Sequence, residues 1–331
     1  MNKFVKISLI IILTFSTACS QAKLVTDIAE IQVNAEEEHS TETQINTEED
    51  KEREYREGDV RIFLKTPVRE LALAVGFEDT QQIAILAEGM SELINYQEPT
   101  YNQTLLYWAV RRDKVKSVEA LLKAGADPNI FCNNGWTALY IATSFRWSEV
   151  STRIVKLLLE YGADPNIGSS LDIIGMSPEY GTTPLMNSVQ IGTLEKTIAL
   201  VEAGADINAK SKHGKTAALQ AMHVARSGYY ETALYLIIEK QADVTQPYDS
   251  PYFDSGFNPG GELYPVNLME EWEPEIGTEG YEVKMKLIEE FARQGVDYWA
   301  VMAAAQAAQK SIDIDIDIID ISELNDNEEE Q

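Results

Sequence analysis

Histidine, cysteine and basic residues are all scarce in this chain of 331 residues. There are 3 histidines and 2 cysteines, and 27 lysines and arginines stand against 54 aspartates and glutamates. Two cysteines cannot supply a disulfide framework, and a formal net charge of −27 repels polyanionic nucleic acid. The shortages therefore exclude a disulfide-rich scaffold and argue against a protein that binds DNA or RNA.

The few residues that carry chemistry are not arranged for catalysis. His39, His213 and His223 are spaced neither as part of a catalytic triad nor as a zinc site, and Cys132 has no histidine near it in sequence. No glycine-rich phosphate loop is present in the sequence. We therefore expect no enzymatic activity, no cofactor and no metal site.

The first 19 residues have the features of a secretion signal. Lys3 and Lys6 precede an apolar stretch at 7–15, which is too short to span a bilayer. Residues 16–19, Ser-Thr-Ala-Cys, resemble the lipobox of bacterial lipoproteins, although Ser16 stands where the family usually has leucine. The resemblance implies cleavage before Cys19 and lipidation of that residue. Ordinary cleavage, which would release a soluble periplasmic protein, is the alternative.

If Cys19 is lipidated, the protein is attached to a bacterial membrane only through its acyl chains. Ser20 follows, where aspartate in the best-known systems retains lipoproteins in the inner membrane. The resemblance therefore favours the outer membrane and periplasm as the location.

Acidic segments flank the central part of the chain. Residues 20–59 are rich in Glu, Thr, Gln and Asn with little apolar periodicity, which is typical of a disordered tether. At the other end, residues 310–331 contain a strict alternation of isoleucine and aspartate over 312–318. This tail lacks the glycine and the glutamate of an EF-hand loop. It is predicted to be either loose or an edge strand that pairs with a partner.

Two short motifs recur together in the central part. The first begins with a threonine, and these threonines follow one another at intervals of 33, 46 and 33 residues. The second contains Gly-Ala-Asp or a variant of it. The threonine motifs are 104–109, 137–142, 183–188 and 216–221, and their partners are 121–129, 158–166, 200–208 and 237–243.

Physical chemistry explains the residue types in both motifs. A threonine hydroxyl can cap a helix, and Pro184 fits a first helical turn. Val118, Leu121 and Leu122 have helical spacing, and Gly125 can end that helix in the left-handed conformation. Each unit is thus a helix pair that cannot bury its own apolar face, so neighbouring units must stack.

These residues resemble the ankyrin repeat at most positions of its two signatures. The resemblance implies an all-α fold, an ankyrin-repeat solenoid of stacked helix-turn-helix units with finger loops, over residues 60–309. We expect 4 clear repeats and 2 degenerate ones, the latter around 71–86 and 283–297. Insertions near 143–152, 167–180 and 245–282 interrupt the period, and Gln241 replaces the terminating glycine of the fourth clear repeat.

Ankyrin proteins usually bind partners with their finger tips and first helices, so the resemblance implies a non-enzymatic protein–protein interaction module. Aromatic and arginine side chains dominate such interfaces. The predicted contact residues are Arg111, Arg112, Phe131, Trp136, Arg146, Trp147, Tyr248, Tyr252, Phe253 and Phe257.

The partner is expected to be another protein, and the net charge favours a basic one. The module would be tethered to the bacterial cell envelope by the lipid on Cys19. Two alternatives remain open: an immunity or antitoxin protein that binds a cationic toxin, and an envelope spacer with no dedicated ligand.

Overall fold

The computed structural model describes residues 59–144, 149–171, 180–191, 193–248, 264–269 and 272–303. The chain divides into two compact units, Met1–Tyr55 and Arg56–Gln331, and all described residues lie in the second. The predictions for Cys19, for the tether as far as residue 58 and for the tail at 310–331 fall outside the described residues.

Every regular element in the described residues is helical, which confirms the predicted fold class. A 3-10 turn, Val60–Phe63, leads into α1 (Arg69–Gly76) and α2 (Thr80–Gly89), and a second 3-10 turn, Ser91–Leu93, follows. Leu71, Val75 and Ile83 of α1 and α2 are fully buried. This pair is the degenerate N-terminal repeat.

The four clear repeats each form a helix pair. They are α3 (Leu105–Arg111) with α4 (Val115–Lys123), α5 (Ala138–Thr143) with α6 (Glu149–Glu160), α7 (Pro184–Ile191) with α8 (Leu194–Glu202), and α9 (Ala217–Ala225) with α10 (Glu231–Ala233), which continues as a π-helix, Leu234–Glu239.

A last, degenerate repeat closes the described part of the solenoid. It consists of a 3-10 helix, Pro265–Met269, and α11 (Glu279–Arg293). Leu287 and Phe291 of α11 are fully buried. Helical structure resumes at 298 and runs to 303, where the description ends.

The predicted threonine caps begin the first helices. In each clear repeat the threonine hydroxyl accepts a hydrogen bond from the backbone N–H three residues later, at 3.1 to 3.3 Å. Such a cap satisfies an amide that has no partner within the helix and stabilises a helix by about 1 kcal/mol. The capping residues are Thr104, Thr137, Thr183 and Thr216.

The three second helices with a terminating glycine end in the predicted left-handed conformation. Gly125, Gly162 and Gly204 have φ values of 90°, 87° and 90°. Gln241 takes the same left-handed conformation, with a φ of 56°, although a side chain is disfavoured there. The fourth clear repeat therefore keeps the usual turn.

The π-helix changes the register just before that turn. Ala126 donates its N–H to the carbonyl of Leu121, five residues back, whereas Ala242 donates to Leu236, six residues back. One extra residue is thus accommodated in the helix, as in a π-bulge. Among the described helices, none is both long enough and apolar enough to cross a membrane.

Candidate functional site

Asparagine side chains tie consecutive finger loops together. Asn129 accepts from the backbone N–H of Asp164 at 2.9 Å, and its amide donates to the carbonyl of Gly162 at 3.0 Å. The same contact to the next aspartate is made at each junction from Asn95–Asp127 to Asn208–Asp243, at 2.7 to 2.9 Å. The fingers are therefore held in a fixed order along one edge of the repeats.

The finger tips are also joined through their backbones. Asn133 of the second finger (126–136) donates its N–H to Tyr101 of the first, and Lys212 of the fourth finger (205–215) donates to Tyr180 of the third, both at 2.9 Å. Fixed tips lose little conformational entropy when a partner binds, which favours recognition.

Aromatic side chains occupy the second finger. Phe131 is 37% exposed, and its carbonyl accepts from the Gln97 side chain at 2.7 Å. The half-buried Trp136 stacks on Tyr140 of α5, with ring centroids 5.7 Å apart. Burial raises the pKa of Tyr140, so its ring stays neutral. Phe131 and Trp136 thus lie on a rigid finger, where the sequence predicts a contact surface.

The fourth finger has the same turn as the second but different side chains. In the second, Cys132 and Trp136 are bonded backbone to backbone at 3.0 Å; in the fourth, Ser211 and Lys215 are bonded in the same way at 3.0 Å. Superposing the turns pairs Phe131, Asn133, Asn134 and Trp136 with Lys210, Lys212, His213 and Lys215. This basic finger was not predicted from the sequence. Aligning the second and fourth fingers by Gly135 and Gly214 would have revealed it.

The third finger adds two exposed apolar side chains. Tyr180 is 54% exposed and Leu171 is 42% exposed, and both lie beside residues that the structure does not describe. Together, the finger loops that precede the first helices form a row, here called the finger row. The exposure of Tyr180 and Leu171 extends the apolar part of this row beyond Phe131.

The predicted arginines lie at the opposite end of the first helices. Arg111 is the last residue of α3 and is half-buried, while Arg112 is exposed and its N–H caps the helix by donating to Trp108. The structure does not bring these arginines to the finger tips. Arg146 and Trp147, predicted to lie in the next helix–helix junction, fall outside the described residues.

Tyr248 departs from the prediction that it contacts a partner. It is only 6% exposed, belongs to the hydrophobic core and lies close against Gly214 of the fourth finger. Its side chain is used in packing. Tyr252, Phe253 and Phe257, which were predicted in the same excursion, fall outside the described residues.

A buried lysine lies between the second and third clear repeats. Lys196 of α8 is fully buried and donates to the carbonyl of Ala142 at 3.3 Å. The equivalent residue of α4, Ser117, donates to Val75 at 2.7 Å in the preceding repeat. Burial lowers the pKa of Lys196 to about 8, against the opposing effect of the Asp113 carboxylate.

Asn187 of α7 reinforces the same junction. Its amide nitrogen lies 3.0 Å from the Thr143 hydroxyl, 2.7 Å from the Ser144 hydroxyl and 3.3 Å from the Tyr140 carbonyl. Buried polar groups that are satisfied in this way fix a single packing arrangement. The junction therefore supports the repeat stack and carries no feature of a catalytic site.

The described residues contain neither a cluster of potential metal ligands nor an exposed cysteine thiol. Within the described ranges, no group of three or more His, Cys, Asp or Glu side chains could hold a metal ion. Cys132 is a free thiol with 5% exposure, packed in the core beneath the second finger.

Known proteins resemble the chain over its repeats. The family model for ankyrin repeats in three copies matches residues 71–169. Protein PhlB of Serratia liquefaciens is 32% identical over 146 residues, which are 44% of this chain and 58% of that protein. The nuclear factor NF-kappa-B p105 subunit of Gallus gallus is 31% identical over 166 residues, which are 50% of this chain and 15% of that protein.

A viral relative shows the same pattern. Putative ankyrin repeat protein FPV031 of Fowlpox virus is 36% identical over 115 residues, which are 35% of this chain and 31% of that protein. The chain thus spans little more than half the length of the bacterial relative and less of the other two. The family match, the relatives and the stacked helix pairs together show that the chain contains ankyrin repeats arranged as an all-helical solenoid.

Proposed function

We propose that this chain is a non-enzymatic binding module, tethered to the bacterial cell envelope, that captures a protein partner with its finger row. Ankyrin repeats typically bind other proteins, and the family is typically non-enzymatic. The observation that carries the proposal is the second finger, where Phe131 and Trp136 are displayed on a turn fixed by hydrogen bonds on both sides.

The energetics of such a surface favour a few anchors. Aromatic side chains in rigid positions contribute most of the binding energy at protein interfaces, and the residues around them mainly exclude water. Trp136 is supported from behind by Tyr140, so a partner does not need to order it. We expect Phe131 and Trp136 to be the anchors and Tyr180 to lie at the rim.

The envelope tether is part of the proposal and rests on the first 19 residues. A Cys19→Ala variant should lose metabolic acyl labelling and leave the washed membrane fraction, because the chain then has no lipid to hold it there. Equal membrane retention of the variant and the unchanged protein would disprove the anchor. The finger-row proposal would be unaffected by that result.

Crosslinking in intact envelopes, followed by mass spectrometry, tests the finger row. One dominant partner should be recovered, and Phe131→Ala should reduce its recovery while leaving the melting temperature nearly unchanged, because Phe131 is 37% exposed. The matched control is Trp299→Ala, because Trp299 is 64% exposed and lies outside the fingers. Equal loss in both variants would contradict a contact at the second finger.

A second candidate function is immunity against a cationic toxin. The net charge of −27 favours it, since an acidic protein attracts a basic one at long range. A toxin as the dominant crosslinked partner would support this function. Many weak partners with no dominant one would instead support an envelope spacer.

A further inference from the structure

The fourth finger (205–215) reverses the charge that prevails over the rest of the chain. Lys210, Lys212 and Lys215 lie within six residues, together with His213, and no acidic residue falls among them. Lys210 and Lys212 are exposed, and His213 and Lys215 are half-buried. A concentrated positive site is thus present on a protein whose formal net charge is −27.

The turn itself does not require these charges. The second finger makes the same turn with Asn133 and Asn134 at the positions of Lys212 and His213. In both fingers the first of these residues donates its N–H to a tyrosine carbonyl of the preceding finger at 2.9 Å. Neutral side chains therefore support the same backbone, and the turn does not explain why lysines stand at these positions.

The finger is held in place before anything binds. Ser211 accepts from the N–H of Lys215 through its hydroxyl at 3.1 Å, and Gly214 takes a φ of 75° to close the turn. Lys210 donates to the side chain of Gln246 at 3.0 Å, which connects the finger to the following segment. The positive charges thus keep a fixed position relative to the second finger.

Some of this charge is already engaged within the chain. Lys210 interacts with the carboxylate of Asp243, and Lys212 and Lys215 each make a further interaction in the structure. The finger therefore attracts anions through its summed charge and its fixed geometry. This attraction does not depend on any single unpaired ammonium group.

We propose that the fourth finger binds an acidic segment, rich in glutamate or aspartate, of the protein that the second finger captures. This inference rests on the proposed function and assigns the chemistry of the partner's contact segment. At physiological salt the Debye length is about 8 Å, so charges far from the finger are largely screened and contact at the finger is governed by local charge.

The geometry also sets where the acidic residues lie in that segment. Stacked helices are about 10 Å apart, so two repeats separate the second and fourth fingers by about 20 Å. An extended chain rises about 3.3 Å per residue. The partner segment therefore places apolar residues on Phe131 and Trp136, and its acidic residues follow about six positions away.

The test uses the full-length protein and a fluorescein-labelled hexaglutamate peptide, with fluorescence anisotropy at physiological salt, where the distant acidic charge is screened. The unchanged protein should bind the peptide, and the double variant Lys210→Gln/Lys212→Asn should bind it about tenfold more weakly. The control, Lys116→Gln/Lys156→Gln, removes the same charge from two other exposed lysines and should bind like the unchanged protein.

Three results would overturn the inference: no binding of hexaglutamate, equal weakening in both double variants, or displacement by inorganic phosphate as effective as that by unlabelled hexaglutamate. The last would mean that the finger binds anions in general. The proposed function has a separate readout, since the crosslinks that depend on Phe131 do not involve the peptide. Loss of one result with the other intact therefore shows which of the two proposals has failed.

Discussion

The side chain of Asn129 bridges two repeats, because its oxygen accepts the backbone N–H of Asp164 while its nitrogen donates to the carbonyl of Gly162. Both bonds cross from the second finger to the turn that begins the third. Asn129 therefore links the conformation of the second finger to that of the third.

Asn129→Ala should lower the free energy of unfolding by about 1–2 kcal/mol, since it leaves a backbone amide and a carbonyl without their partners. Hydrogen exchange at Asp164 should accelerate at the same time. The control is Gln81→Ala, an exposed position in α2, which should stay within about 0.5 kcal/mol of the unchanged protein. If exchange at Asp164 is unchanged, the inter-finger bond does not exist in solution.

Packing between repeats predicts the effect of a core truncation. Leu158 of α6 is fully buried, and Leu158→Ala should destabilise the protein by about 2–5 kcal/mol in chemical unfolding. Leu157→Ala in the same helix removes an identical group from a half-buried position and should have a clearly smaller effect. Similar losses for the two variants would mean that α6 is rotated from its position in the structure.

The left-handed conformation of Gln241 predicts a stabilising substitution. Gln241→Gly removes the strain of a side chain at a φ of 56° and should raise the free energy of unfolding by up to about 1 kcal/mol. Gln241→Ala keeps the strain and should change stability little. A clear loss of stability in the glycine variant would show that the turn has another geometry in solution.

Buried Lys196 predicts a pH dependence of stability. Burial lowers the pKa from 10.5 to about 8 in the folded state, so between these values the unfolded chain binds more protons. Stability should therefore rise as the pH increases from about 8 to about 10.5. Below pH 8 the contribution should be constant, because the lysine is protonated in both states.

The pH effect is isolated by two variants. Lys196→Met should remove this part of the pH dependence, whereas Lys156→Met, at an exposed position of α6, should leave it intact. Urea unfolding at a series of pH values measures both. If the free energy of unfolding changed with pH by the same amount in the unchanged protein and in both variants, Lys196 would keep its ordinary pKa when folded.

Local features of the fold were predictable from sequence because they depend on neighbouring residues. A threonine cap involves an amide three residues away, as in Thr104 with Tyr107, and the Gly125 turn follows its own helix directly. The threonine recurs at all four clear repeats and the glycine at three of them. The helix pairs and their order could therefore be inferred before any tertiary contact was known.

Features set by stacking were not predictable in the same way. A lysine in a helix is usually exposed. Lys196, however, stands at the position equivalent to Ser117 and is covered by the preceding repeat. Tyr248 lies at the start of the insertion at 245–282 and was expected at the surface, yet the fourth finger packs against it. In both cases burial depends on a neighbour distant in sequence.

The candidate site was predicted in part. Phe131 and Trp136 were singled out because aromatic side chains dominate protein interfaces, and the structure places both on the second finger. The basic fourth finger was overlooked because the whole-chain charge is so negative. Its contrast in charge is seen only when its turn is superposed on that of the second finger.

The central claim, that the finger row captures a protein partner, is tested most directly by site-specific photocrosslinking in intact envelopes. A photoreactive residue at position 131 should yield one discrete adduct, because Phe131 lies on the proposed contact surface. The same residue at position 156, an exposed site in α6, should yield none. Equal adducts from both positions, or an adduct only from a position in the tail at 310–331, would contradict the account.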